Sequence, residues 1–443
     1  MDGFEENGKP EETEETSFTL DDILNEIEAG SGAADEKKDG KKTETPYVVN
    51  GSVLKGDTIK DKKIEGFLKA FVPLKGDAKN EIIRKFVFLA SLAAALVCCA
   101  IIIADAGHST ARRRLDDELK EIKSRGDVLS IDDNRAGEET DGEAEIAPKF
   151  RELYERNNDF VGWIKLGDTI IDYPVVQAAD NDYYLKIDFD GGDDKAGSIF
   201  ADWHIPINPY RRPEIFKDYG WYLPVKAGRR PDNTVLYGHN MANGTMFAHA
   251  ARYYAPNFGL DAYVKNPTIT FETLYGVERS TYKIFAGIYV NTKTEHGDVF
   301  SYYRARRFSE GDFYEKTGST AENNFYYFIS EIMDRSVFHT GVDIEYGDEI
   351  LTLSTCYYPL GNNIDTRFAL FARRVREGED ENVDTDAASR NLRPKYFDYF
   401  YSVMGGVPWT QDDRSWDVSL VKGMDEFLKT HSPEDNPWVK PAG

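Results

Sequence analysis

Apolar and polar positions along the 443 residues fall into five regimes. Residues 1–80 are rich in Glu, Asp, Lys, Gly and Thr and lack long apolar periodicity, which predicts a disordered acidic tail. One stretch departs from this. In SFTLDDILNEIEAG, Leu20, Ile23, Leu24 and Ile27 share one helical face, with Asp21, Asp22 and Glu26 elsewhere. That pattern fits a docking helix for a cytoplasmic partner and equally a transient helix in an acidic tail. Next comes FVFLASLAAALVCCAIIIA, Phe86 to Ala104, apolar throughout and uncharged. About 20 such residues cross the ~30 Å hydrocarbon core of a bilayer, so 84–105 is expected to be a single transmembrane helix. It begins too late for an ordinary secretory signal peptide.

Residues 106–146 open with a charged helical pattern, RRRLDDELKEIKS, and continue as an acidic, Gly-containing linker. This reads as a stalk holding a domain off the bilayer. From Pro148 the pattern changes to alternating aromatic and β-branched residues punctuated by turn signals. GWIKL, TIIDYPVVQ, GSIFADW, NTVLYGHN, TITFET, STYKIFAGIYVN, DEILTLSTC and FALFARRV give about eight β segments. Helices are expected at 148–157, near 245–255 and near 322–334. Many strands with few interspersed helices predict a mostly β, closed or nearly closed barrel rather than a doubly wound sheet. Residues 377–443 start as an acidic linker and end in a Tyr/Trp-containing segment to which the pattern assigns no role.

Charge narrows the partners. The net charge of −24 argues against nucleic acid, because no basic surplus exists to release counterions. Around the apolar run charge does not decide orientation: Lys79, Arg84 and Lys85 precede it, while Arg112, Arg113, Arg114 and Lys120 follow. Cysteine is more informative. Cys98 and Cys99 lie in the apolar run, leaving Cys356 alone outside it, so that part has neither an intrachain disulfide nor a multi-cysteine zinc site. By count alone Cys356 is an inert core thiol or a reactive one.

A reactive thiol needs a base or a cation nearby. Of the seven histidines, His108 falls in the stalk, His431 in the tail and His249 in a helical pattern. His204, His296 and His339 have no strong flanking pattern. His239 ends the apolar strand NTVLY, a rigid platform for a catalytic group, although a strand-end histidine is also an ordinary structural feature. After Cys356, YYPLGNNIDT reads as a loop between two strands. If those strands pair antiparallel, Cys356 closes the first and Arg367 opens the second at the same end of the sheet. An arginine there suits a substrate carbonyl or a developing oxyanion, and equally a solvated edge.

With these residues in view the chain resembles the class B sortases over roughly 148–376. The likeness rests on TLSTC at 352–356, RFALFARRV at 367–375, YGHNMANGTMF at 237–247 and IDYPVVQAADNDYYLKIDF…AGSIFADW at 171–203. A helical insertion at about 305–336 resembles class B rather than class A, and no Asp-Pro-aromatic lid precedes the barrel. The resemblance implies a sortase-like eight-stranded barrel with peripheral helices over 147–376, and a cysteine transpeptidase of Gram-positive bacteria. It implies Cys356 as nucleophile, His239 as general acid/base and Arg367 as substrate and oxyanion clamp. Ser354, Asn181 and Thr355 are the further substrate-binding candidates; no metal and no cofactor is expected. The implied partners are surface proteins carrying a C-terminal sorting signal, and a peptidoglycan precursor or other amine acceptor. Such enzymes work outside the bilayer, so the resemblance implies a cytoplasmic N-terminus and an extracellular catalytic domain. A cysteine protease that hydrolyses its intermediate and an inactive membrane-anchored binding scaffold are the alternatives. The 204–232 insert, the tail and the 377–443 extension fall outside the likeness.

Overall fold

A computed structural model describes residues 69–130, 139–140, 143–144, 146–205, 207, 231–254, 259–274, 280–305, 308, 320–361 and 363–442. The acidic tail with its candidate docking helix lies outside these residues, as does most of the 204–232 insert. The chain divides into two compact units, Met1–Leu96 and Val97–Gly443. In the described part of the first, Lys85 is buried and donates to the Asp77 carboxylate and the Lys69 carbonyl. Helix α1, Lys79–Ser130, runs through the division and contains one stretch long and apolar enough to cross a membrane.

The second unit is built on a closed eight-stranded barrel. Its strands are β1 (Phe160–Leu166), β2 (Asp172–Val176), β3 (Ile199–Ala201), β4 (Asn233–Tyr237), β5 (Thr268–Thr273), β6 (Thr281–Asn291), β7 (Ile350–Cys356) and β8 (Thr366–Arg374). These are the eight segments the alternation predicts. Around the barrel the order is β7-β8-β6-β5-β1-β2-β3-β4, closed by a parallel β4–β7 pairing. Closure leaves no strand edge open for foreign pairing. Gly162 is required where β1 meets β5, since a Cβ there would lie 2.3 Å from the Glu272 carbonyl oxygen.

Period-two alternation sorts the side chains into two sets. All eight strands contribute to one cluster that fills the barrel, including Ile164, Val175, Ile199, Leu236, Phe271, Ile284, Leu351, Leu353, Phe368 and Leu370. The intervening residues of β6, β7 and β8, among them Ala286, Ile350 and Phe371, face a second cluster outside. There helix α2, Ala321–Arg335, covers the barrel; Thr320 caps its N-terminus by accepting from the Asn323 amide. On the flank made by β1, β2 and β3, Leu119 and Ile122 of α1 are buried with Phe150, Leu153, Phe160 and Trp163. Arg112 pairs with Asp116 and Asp194 and donates to the Gly197 carbonyl, and Lys123 pairs with Glu272. The first part of the segment expected to be a stalk is therefore packed on the barrel.

Residues 377–442 fold back onto the same unit. Trp416, Val421, Met424, Phe427 and Trp438 complete the cluster around α2, and Val439–Lys440 pairs with Val299–Phe300. Every α2 residue from Asn324 to Arg335 is buried, including Glu331, Asp334 and Arg335. Buried charges persist when paired. Here the C-terminal segment supplies the partners: Lys395 to Glu331, and Arg414 with the Trp416 indole to Asp334. Asp298 and Glu331 hold Arg335. The extension thus forms part of the wall around α2.

Candidate active site

Three adjacent strands bring the candidate residues to one end of the barrel. In the antiparallel β7–β8 ladder Cys356 is the partner of Arg367. In the parallel β4–β7 ladder Tyr237 partners Ser354, each two residues before His239 and Cys356 respectively. Gly238 donates its amide to the Ser354 carbonyl at 3.3 Å, and the Thr355 hydroxyl donates to the Gly238 carbonyl at 2.7 Å. Gly238 also has no room for a side chain, because a Cβ would lie 2.5 Å from Ile199 Cδ1 and 2.8 Å from the Phe247 ring. All three candidates are half-buried, so each is held while remaining reachable.

Local contacts fix their chemistry. Nε2 of His239 lies 2.9 Å from the Leu185 carbonyl. A carbonyl only accepts, so Nε2 donates to it, and Nδ1 has no hydrogen-bond partner among the described residues. After His239 the chain turns through Asn240 to Met246, closed by an Asn240–Met246 bridge and by the Phe247 amide donating to the His239 carbonyl. Arg367 uses Nη1 for the Asp365 carboxylate and the Thr366 carbonyl. Nε and Nη2 have no such partner among the described residues. Burial opposes its charge, but Cys356, Asp365, Tyr302 and Tyr358 hold the guanidinium above its ordinary pKa. It is a permanent cation facing the thiol.

Two tyrosines complete the surroundings and were not singled out from the sequence. Burial, then hydrogen bonding to the Cys356 sulfur, pushes Tyr358 up to about 12. The Tyr302 hydroxyl is 2.7 Å from Ser354 Oγ, and burial pushes Tyr302 up to about 12 as well. Tyr358 stands in the loop after Cys356 and Tyr302 just ahead of the helical insertion at about 305–336, but an aromatic in either place carries no sequence mark of its own.

The remaining candidates have other duties. Ser354 and Thr355 are 1% and 2% exposed, with hydroxyls given to Tyr302 and to the Gly238 carbonyl. Both hydroxyls thus tie the strand ends to neighbouring segments. Asn181 is half-buried, donating to Asp202 at 3.1 Å and accepting from the Trp203 amide at 3.0 Å. It precedes the turn at Tyr183–Leu185 that supplies the carbonyl for His239. Among the described residues no His/Cys/Asp/Glu group is arranged to hold a metal ion.

A closed barrel presenting a thiol, an imidazole and a guanidinium at one end is a fold and site suited to cysteine-dependent acyl transfer. The chain is 33% identical to sortase B of Listeria monocytogenes over 217 residues, covering 49% of this chain and 70% of that protein. It is 30% identical to sortase B of Staphylococcus aureus over 211 residues, covering 48% and 68%. The chain belongs to the class B sortases, a family of cysteine transpeptidases. A sortase B–substrate complex from Staphylococcus aureus is similar at 24% identity and TM-score 0.41–0.44 is the range for it and the Bacillus anthracis sortase B structures, over 60–61% of this chain and 95–99% of theirs. No family model matches the chain.

Proposed function

We propose that the protein is a membrane-anchored transpeptidase that cleaves a sorting signal and passes the acyl group to an amine. The observation that carries this is the register: Cys356 opposite Arg367, with the turn bearing His239 bonded to the strand that ends in Cys356. His239 takes the Cys356 thiol proton at Nδ1, and the thiolate attacks the carbonyl carbon of the scissile amide, forming a C–S bond. Nε and Nη2 of Arg367 receive the charge that develops on the carbonyl oxygen. As the C–N bond breaks, His239 delivers a proton from Nδ1 to the leaving amine, leaving a thioester on Cys356. An acceptor amine then attacks the thioester, His239 takes its proton at the same nitrogen, and the thiolate departs.

The apolar stretch of α1 is the anchor in this reading, with the N-terminus cytoplasmic and the catalytic unit outside. The acceptor belongs to the cell wall or to another protein. The full chain in detergent, incubated with a library of sorting-type peptides, should give a thioacyl adduct on Cys356 by mass spectrometry. Adding hydroxylamine or a short peptide amine should convert the adduct to ligated product. Hydrolysis alone in the presence of amine would make the protein a protease. No adduct would make it a binding scaffold.

A further inference from the structure

His239 rests on two supports, and helix α1 reaches both. The first is the Leu185 carbonyl that faces Nε2. The segment from Asp194 to Ser198 brackets Leu185: the Asp194 amide donates to the Lys186 carbonyl at 2.8 Å, and the Ser198 amide to the Tyr184 carbonyl at 3.0 Å. Gly197 lies directly against it, since a Cβ there would stand 2.7 Å from the Leu185 carbonyl oxygen.

The second support is the turn from Asn240 to Met246, whose closing bridge and Phe247–His239 bond fix the backbone of His239. Met246 is the one non-glycine residue with a left-handed backbone among the described residues, at φ 58°. Such a conformation persists only where the surroundings over-determine it, and it gathers at functional sites. Here the Met246 amide donates to the Tyr173 hydroxyl at 3.3 Å, and its side chain is buried.

Arg112 of α1 joins the two. Its Nη1 donates to the Gly197 carbonyl at 2.6 Å and to the Asp194 carboxylate at 3.0 Å, while Nη2 lies 3.4 Å from the Met246 sulfur. Nε donates to Asp116, one turn on, at 2.9 Å. Further along the same face Lys120 sets its ammonium 5.5 Å from the centre of the Tyr173 ring, the ring that holds the Met246 amide.

We propose that Arg112 is a positioning residue for His239, clamping the Leu185 support and the Met246 turn together. The helix that follows the apolar run thereby sets the placement of the imidazole. This rests on the reading of His239 as the general acid/base. The physical ground is that a misplacement of about 1 Å at a catalytic centre costs on the order of 100-fold, so a clamp acts on turnover without touching substrate.

The test compares the full chain in detergent with Arg112→Lys, Arg113→Lys and Lys395→Met. Lysine keeps the charge but replaces the planar fork by one nitrogen, which cannot serve Gly197 and Met246 together. Rates are taken per folded molecule, below every melting transition. In Arg112→Lys kcat should fall about 5- to 20-fold with KM changed by less than about twofold, a part of the cost of a full misplacement. Arg113→Lys, exposed on the same turn of helix, should behave as wild type. Lys395→Met, which loses the pair with Glu331, should melt lower and keep its kcat. Unchanged kcat in Arg112→Lys, or a loss no larger than that of Lys395→Met, would overturn the proposal. If Arg112→Lys folds poorly, Met246→Leu takes its place under the same criteria, because it conserves volume and removes the sulfur that meets Nη2. An inactive wild type would overturn the functional reading instead. The ring-nitrogen NMR signals of His239, assigned with His239→Gln and titrated in histidine-labelled protein, then decide positioning without substrate. A midpoint or tautomer changed in Arg112→Lys alone supports it; signals identical to wild type, or moved equally by Arg113→Lys, refute it.

Discussion

Cys356 and Arg367 are direct partners across the β7–β8 ladder, the last and second residues of their strands. Their backbones are therefore fixed to each other by sheet pairing, and only side-chain torsions separate thiol from guanidinium. Cys356→Ala should abolish thioester formation while leaving the melting temperature near wild type, since the removed sulfur is half-buried and packs little. Arg367→Lys keeps the charge but loses the planar fork, and kcat should fall roughly 100- to 1,000-fold. Single-turnover acylation of a peptide substrate measures both.

The bond from Thr355 to the Gly238 carbonyl ties the histidine turn to the cysteine strand. Thr355→Val keeps the shape and leaves a buried carbonyl without that donor, which costs about 1–3 kcal/mol. Chemical denaturation should show this loss, with a fall in kcat beyond it as His239 drifts from Cys356. A variant as stable and as active as wild type would remove Thr355 from the framework.

Gly238→Ala should damage the same joint from the other side. The Ile199 methyl can rotate away, but the Phe247 ring is 0% exposed and has nowhere to go. Overpacking of this kind costs about 1–3 kcal/mol. The expected result is a lowered melting temperature together with a lowered kcat.

Leu119 tests whether the α1 segment beyond the apolar stretch is packed or free. It is 1% exposed among Phe150, Leu153 and Phe160, so Leu119→Ala should cost about 2–5 kcal/mol in denaturant unfolding of the domain. A free stalk would give no change.

Burial works against the charge of Glu331, but Lys395 and Arg335 outweigh it and hold its carboxyl well below the usual range. The folded state thus binds this proton more weakly than the unfolded one. Stability from the group is complete above its unfolded value near pH 4.5, and is lost as pH falls through the folded value toward about 2. Lys395→Met should lower stability at pH 7 by roughly 3 kcal/mol, because a buried carboxylate loses one of its two cations. Melting curves between pH 2.5 and 7 measure both effects.

The eight strands were legible because alternation in β1 to β8 is strong and its turns are marked by Gly, Asn and Pro. The Cys356–Arg367 relationship was legible for a simpler reason: two strands joined by a turn-rich loop meet end to end. Ser354 shows the limit. Period two places it on the same face as Cys356, but only the folded chain reveals that Tyr302 covers that face two residues short of the thiol. Leu119 and Ile122 were hidden for another reason. Their apolar stripe is two residues wide in a charged helix, and its partner, Phe150 to Trp163, lies across a polar linker. The role of 377–442 was illegible because its rings and cations answer charges on α2 whose burial nothing in the sequence marks.

Strand β7 divides its residues cleanly: Leu351 and Leu353 enter the barrel, while Ile350, Ser354 and Cys356 stand outside. Heritable change meets this strand as an all-or-none device. Substitutions can tune either face separately, but deleting one residue within it would exchange the two faces and turn the Cys356 sulfur toward the barrel. The spacing between its aliphatic residues and its sulfur is therefore held by the strand's period of two, and a change in length here costs more than a change of residue.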